Sequence, residues 1–178
     1  METTSTAADF QERALLEEAA KKSGLLWVLP AGQAQARALW HAWYDGAVVV
    51  VGDGAEQPLH GLVAGQPATV TVRSKDKWGR LTSWPATVSE LEPGSEGWLG
   101  AVEELKGKRL NAPDTDTIGD RWARECRVLR LAPSGPLTEQ PGAMPHGSHT
   151  ARPMETPATT REPIPAGLPK LLFRRRGR

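Results

Sequence analysis

The segment that most limits what this chain can become is RALWHAWYDGAVVVVG, residues 37–52. Asp45-Gly46 is a strong two-residue hairpin signal, because both residues tolerate the positive φ that a tight β-turn requires. An aromatic-rich strand enters the turn and four consecutive valines, at 48–51, leave it. Such an uninterrupted apolar run predicts a strand covered on both faces.

The neighbouring segments share this texture. Residues 25–29 form a short apolar run ended by Pro30 to Gly32. Residues 68–73 alternate, with Val70 and Val72 on one face and Thr69, Thr71 and Arg73 on the other. Residues 81–91 continue in strand style after a turn at 77–80, and Pro85 predicts an edge position or a bulge there. Ahead of these strands, residues 8–22 read as a helix. Thr6 or Asp9 can cap it, Lys21 and Lys22 suit its last turn, and Gly24 stops it. A second helix is expected over residues 96–106, capped by Ser95, with an apolar stripe of Trp98, Leu99, Val102 and Leu105. Residues 111–119 read as a loop. Residues 122–131 read as a closing strand, or as a short helix feeding a strand at 127–131. Short antiparallel strands with one helix inserted late predict a mainly β (α+β) fold, a small barrel of about six strands.

Composition divides the chain near Pro133. Residues 133–178 hold 7 basic and 3 acidic side chains and 9 of the 15 prolines, whereas residues 1–132 carry 15 basic and 18 acidic ones. The expected organisation is a folded domain over 1–133 and a disordered, proline-rich basic tail over 134–178. The tail ends in Arg174, Arg175, Arg176 and Arg178, which read either as solvated residues or as an electrostatic contact for nucleic acid or an acidic partner. The overall charge of +1 selects neither nucleic acid nor an acidic membrane. A single cysteine, Cys126, excludes an internal disulfide and any multi-cysteine metal site. No apolar run is long enough to span a membrane and no signal peptide is visible, so a cytoplasmic protein is expected.

Three groups of residues could carry chemistry. Gly52 opens a glycine-bearing loop directly after the valine strand, where backbone N–H groups could approach a phosphate or a ring; Asp53 and Glu56 in the same loop would repel an anion. Arg73, Ser74 and Lys75 end the alternating strand with three phosphate-competent donors, and the other reading is a solvated hairpin end. Trp40, His41, Trp43 and Tyr44 crowd one strand, with Trp40, Ala42 and Tyr44 on one face and His41 and Trp43 on the other. They read as ring-stacking walls or as barrel core. No histidine spacing suggests a metal site.

The leading helix, LLWVLP, RALWHAWYDGAVVVVG and ATVTVRSKDKWGRLTSWPATVSEL, in that order, resemble the pyridoxamine 5′-phosphate oxidase-like split β-barrels that bind flavin, in particular uncharacterised actinobacterial members. The likeness covers residues 9–133. It implies FMN, or in some branches F420 or haem, at the interface of a homodimer, and an oxidoreductase acting on a small molecule. It implies a cofactor site of Trp40, His41, Gly52, Gln57, Arg73, Ser74 and Lys75, with Arg73 and Lys75 on the phosphate and Gly52 and Gln57 bordering the ring. Where such proteins often carry a lysine before an Asn-Leu step, this chain has Pro58 and then His60-Gly61-Leu62. That departure favours a second reading, a cofactor-free dimeric interaction module whose basic tail docks an acidic partner.

Overall fold

The computed structural model describes residues 7–74 and 79–144. The helix α1 (Ala7–Lys22) leads into β1 (Leu26–Pro30), β2 (Arg37–Leu39), β3 (Ala42–Tyr44), β4 (Ala47–Gly52), β5 (Pro67–Arg73) and β6 (Arg80–Glu90). Two helices, α2 (Glu96–Lys108) and α3 (Ile118–Glu125), precede the last strand, β7 (Arg127–Pro133). The chain divides into a unit over Met1–Pro145 and another over His146–Arg178. Lys75 and the arginines at 174, 175, 176 and 178 lie outside the described residues. No described helix is long and apolar enough to cross a membrane.

The seven strands among the described residues belong to one antiparallel sheet, ordered β2-β1-β5-β6-β7-β4-β3. The expected single strand over residues 37–44 is thus two strands, which sit at opposite edges of the sheet. Only Trp40 and His41 separate them. Three Cα–Cα steps reach about 11 Å at most, so the sheet must curl until its edges nearly meet. That requirement makes the sheet a split barrel.

The valine strand β4 divides two cores. Val48 and Val50 face the barrel interior with Leu26, Val70, Trp84 and Leu129, capped by Leu16, Ala19 and Ala20 of α1. Val49 and Val51 face outward beneath Trp98, Val102 and Leu105 of α2 and Ile118 and Trp122 of α3. All four valines are fully buried, as an uninterrupted apolar run requires. The Asp45-Gly46 turn has φ of 46° and 70°, so both of its residues take up the positive φ that was expected. In α2, Ser95 caps the first turn by accepting from the Trp98 N–H at 3.2 Å. Residues 118–133 follow the helix-then-strand alternative.

Two expectations change. Pro85 is neither at an edge nor in a bulge: β6 lies between β5 and β7, and the register shift falls at Val72 and Arg73. Ser83 and Leu91 point their N–H groups toward the β7 side, and so would residue 85. The missing donor therefore falls beside the end of β7, where Ser134 donates to the Pro85 carbonyl at 3.0 Å instead. The chain also stays packed beyond Pro133. Ser83 exchanges backbone hydrogen bonds with Glu139, Leu137 packs on the barrel core, and the Glu139 carboxylate meets Arg80 at 2.6 Å.

Candidate functional site

The split between the sheet edges is where the site lies. Trp40 and His41 cross it, and beside them converge the C-terminal ends of α1 and α2, the start of β1 and the end of β5. These elements enclose a cavity of about 690 Å³. Its aromatic walls are Trp27 and Trp40, with His41 between the strands and Leu25 and Leu110 at the rim. Lys21, Lys22, Arg73, Lys108 and Arg109 contribute cations, and none of the described lining residues is acidic. The size and the mix of aromatic with convergent charged groups suit a small-molecule ligand.

Each cation has a local cause. Two helix C-termini bring the negative ends of their dipoles here, and lysines in the last turns offset them. Lys21 and Lys22 each reach back one turn to Glu17 and Glu18, both at 2.5 Å. Arg109 is fastened by its Nε to Glu56 at 2.9 Å. Arg73 and Lys108 have no ion pair among the described residues; the Arg73 guanidinium lies 4.3 Å from the centre of the Trp27 ring, a cation–π contact. The unpaired charge of the cavity therefore concentrates on Arg73 and Lys108.

His41 is 3% exposed, and its Nε2 lies 2.9 Å from the Ala20 carbonyl. That carbonyl can only accept, so Nε2 carries the proton and Nδ1 is left buried without a hydrogen-bond partner among the described residues. Burial holds the imidazole below its usual pKa, and Lys108 adds to this, against the pull of the Ala20 and Leu39 carbonyls. His41 is a neutral tie between the strand crossover and α1.

The structure brings Trp40, His41, Arg73 and Ser74 to one cavity and sends Gly52 and Gln57 elsewhere. A Cβ on Gly52 would collide with the Gln57 carbonyl and the Leu59 side chain, so the glycine serves tight chain packing and leaves no room for a ring. Gln57 spends its amide on the protein: Oε1 accepts from the Trp40 N–H at 2.8 Å, and Nε2 donates to the carbonyls of Trp40 at 2.8 Å and Val51 at 3.1 Å. The acidic residues of that loop are likewise engaged within the protein. Glu56, with 1% of its side chain exposed, accepts from Arg109, from Arg121 at 3.0 Å and from the Trp122 indole at 3.0 Å. Asp53 is drawn upward in pKa by burial, but the Leu59 N–H and the Arg127 guanidinium outweigh this and hold it below the usual range. The loop holds the cavity wall from behind, because Trp122 packs on Trp40 with centroids 6.2 Å apart.

Sequence reasoning did not single out Trp27 or Arg109, and it read Lys21 and Lys22 only as helix-end charges and Lys108 only as a helix-surface partner of Glu104, a pair absent among the described residues. Basic residues closing both helices were a usable signal, had the two ends been known to converge. Cys126 donates toward the Asp53 carbonyl at 3.5 Å, and burial raises its pKa, so the thiol is held in its neutral form.

No family model and no curated protein matches the chain. Solved structures do. The haem storage protein HutZ of Vibrio cholerae superposes with a TM-score of 0.51 at 16% identity, over 68% of this chain and 89% of that one. The conserved hypothetical protein Rv2991 of Mycobacterium tuberculosis does so with a TM-score of 0.54 at 14% identity, over 75% of this chain and 87% of that one. At these identities the likeness establishes the fold.

Proposed function

We propose that this protein is a homodimeric oxidoreductase that holds an anionic ring cofactor of flavin type in the cavity at the barrel split. FMN is the first candidate and F420 the second; the haem storage protein of the same fold keeps haem as a third. The observation that carries the reading is the cavity itself, about 690 Å³ with two tryptophan walls, five cations and no acidic lining residue among those described. A flavin bound there supplies the hydride chemistry, while the protein contributes position and electrostatics.

The division of labour follows from the residues. Trp40 offers a face for a planar ring, and Trp27, with Arg73 over one of its faces, walls the cavity beside it. Arg73 and Lys108, unpaired within the described protein, supply charge-assisted hydrogen bonds to a phosphate. The neutral His41 fixes the crossover on which Trp40 is mounted. Leu25 and Leu110, 48% and 75% exposed at the rim, are apolar surface that a second subunit would cover.

The test is the absorbance of the purified protein between 350 and 470 nm, followed by titration with FMN, F420 and haem. A colourless protein that binds none of them at tens of micromolar would leave the cofactor-free interaction module as the better reading.

A further inference from the structure

A second cavity of about 330 Å³ adjoins the first. Both are lined by Lys22, Ser23, Arg73 and Ser74, so the end of α1 and the end of β5 form a saddle between them. On the far side the walls are Leu15, Ala19 and Leu81, with a single carboxylate, Glu18. The saddle is cationic. Arg73 is without an ion pair among the described residues, and Lys22 has donors left beyond the one given to Glu18. Ser23 adds no donor, because its hydroxyl is turned to the Leu25 carbonyl.

A phosphate on Arg73, the cation the saddle shares with the ring site, would have Lys22 on the saddle and Lys108 on the first-cavity side, and would stand between two concave sites of different character. The larger is aromatic. The smaller is mostly aliphatic, with one hydrogen-bond acceptor for an amino group. We infer that the second cavity is a subsite for the distal part of the cofactor, so that the preferred ligand carries its phosphate as a bridge between a planar ring and a smaller, amine-bearing group. A dinucleotide such as FAD has that build, and FMN, whose phosphate is terminal, would leave the second cavity empty. This rests on the reading of the first cavity as the ring site.

The experiment compares riboflavin, FMN, FAD and adenosine 5′-monophosphate by calorimetry on the full chain. FAD should bind at least about tenfold more tightly than FMN, the size of one added charge-assisted contact or one well-filled pocket. Leu15→Trp, at a half-buried lining position, should bring FAD down to the FMN level and leave FMN unchanged. Adenosine 5′-monophosphate should bind alone, compete with FMN for the saddle, and tolerate riboflavin. Its binding should be lost in Arg73→Ala, an exposed position that the barrel core does not use.

FMN binding as tightly as FAD, with no binding of adenosine 5′-monophosphate, would overturn the subsite and leave the ring site standing. Binding of adenosine 5′-monophosphate that depends on Arg73 and Leu15, without any flavin binding, would uphold the anionic subsite and overturn the ring site. If no ligand binds, the subsite is overturned too.

Discussion

The side-chain amide of Gln57 brackets the backbone of Trp40, accepting its N–H and donating to its carbonyl, both at 2.8 Å. Trp40 lies in the two-residue step between opposite sheet edges, where no strand is available to pair it. The glutamine stands in for that strand. Gln57→Ala would leave a donor and two acceptors without partners in a part-buried setting. At about 1–3 kcal/mol for each group that water cannot reach, the variant should lose about 2–3 kcal/mol in urea unfolding. Gln57→Glu keeps the acceptor and loses both donations, so it should not rescue the loss.

Glu56 is the hub behind the same wall, holding Arg109, Arg121 and Trp122 with almost no exposure. Removing one member of a buried ion cluster strands the rest. Glu56→Ala should cost about 3–5 kcal/mol in chemical denaturation. Glu103→Ala, which breaks an exposed pair with Lys106, should cost under about 1 kcal/mol.

His41 makes stability depend on pH. Its folded pKa lies below the 6.5 of the free side chain, so the unfolded chain takes up a proton before the folded one does. The stabilisation is complete above that value and is lost as pH falls below it, until the folded imidazole also titrates. Just below pH 6.5 the slope should approach about 1.4 kcal/mol per pH unit at most. His41→Gln, whose amide can still donate to Ala20, should flatten it. Asp53 and Asp114 are also lowered, and their contribution is lost only as pH falls through the acid range below 3.8. A melting series from pH 8 to 2 separates the two windows.

Residues beyond β7 belong to the barrel. Truncation after Pro133 removes the Glu139 pairing to Ser83 and Arg80, whereas truncation after Pro145 keeps it. The shorter protein should melt about 3–7 °C lower than the longer one, as a loss near 1–2 kcal/mol implies for a domain of this size. Equal melting temperatures would show that the segment adds nothing.

What could be read from the sequence was local. Asp45-Gly46 and the valines at 48–51 set their own turn and their own two-sided burial, and both appear as expected. The break at Trp40 and His41 was not legible, because residues 37–44 are uniformly strand-like and the break comes from closing the sheet. The glycine-bearing loop was misleading for a related reason. Glu56 reaches Arg121 and Trp122 far along the chain, and only the fold shows that its charge is already satisfied. Arg73 and Ser74 were legible as donors at a strand end; Lys108 and Trp27, which line the same cavity, came from other elements.

If Arg73 and Lys108 hold the phosphate of a ring cofactor, FMN affinity in the Arg73→Ala/Lys108→Ala variant must report it. Two charge-assisted contacts at about 1.5–3 kcal/mol each amount to roughly two to four decades in Kd. FMN binding should weaken by at least about a hundredfold while riboflavin binding, the melting temperature and the sedimentation coefficient stay at wild-type values. FMN bound equally well by both proteins, or by neither at tens of micromolar, would contradict it.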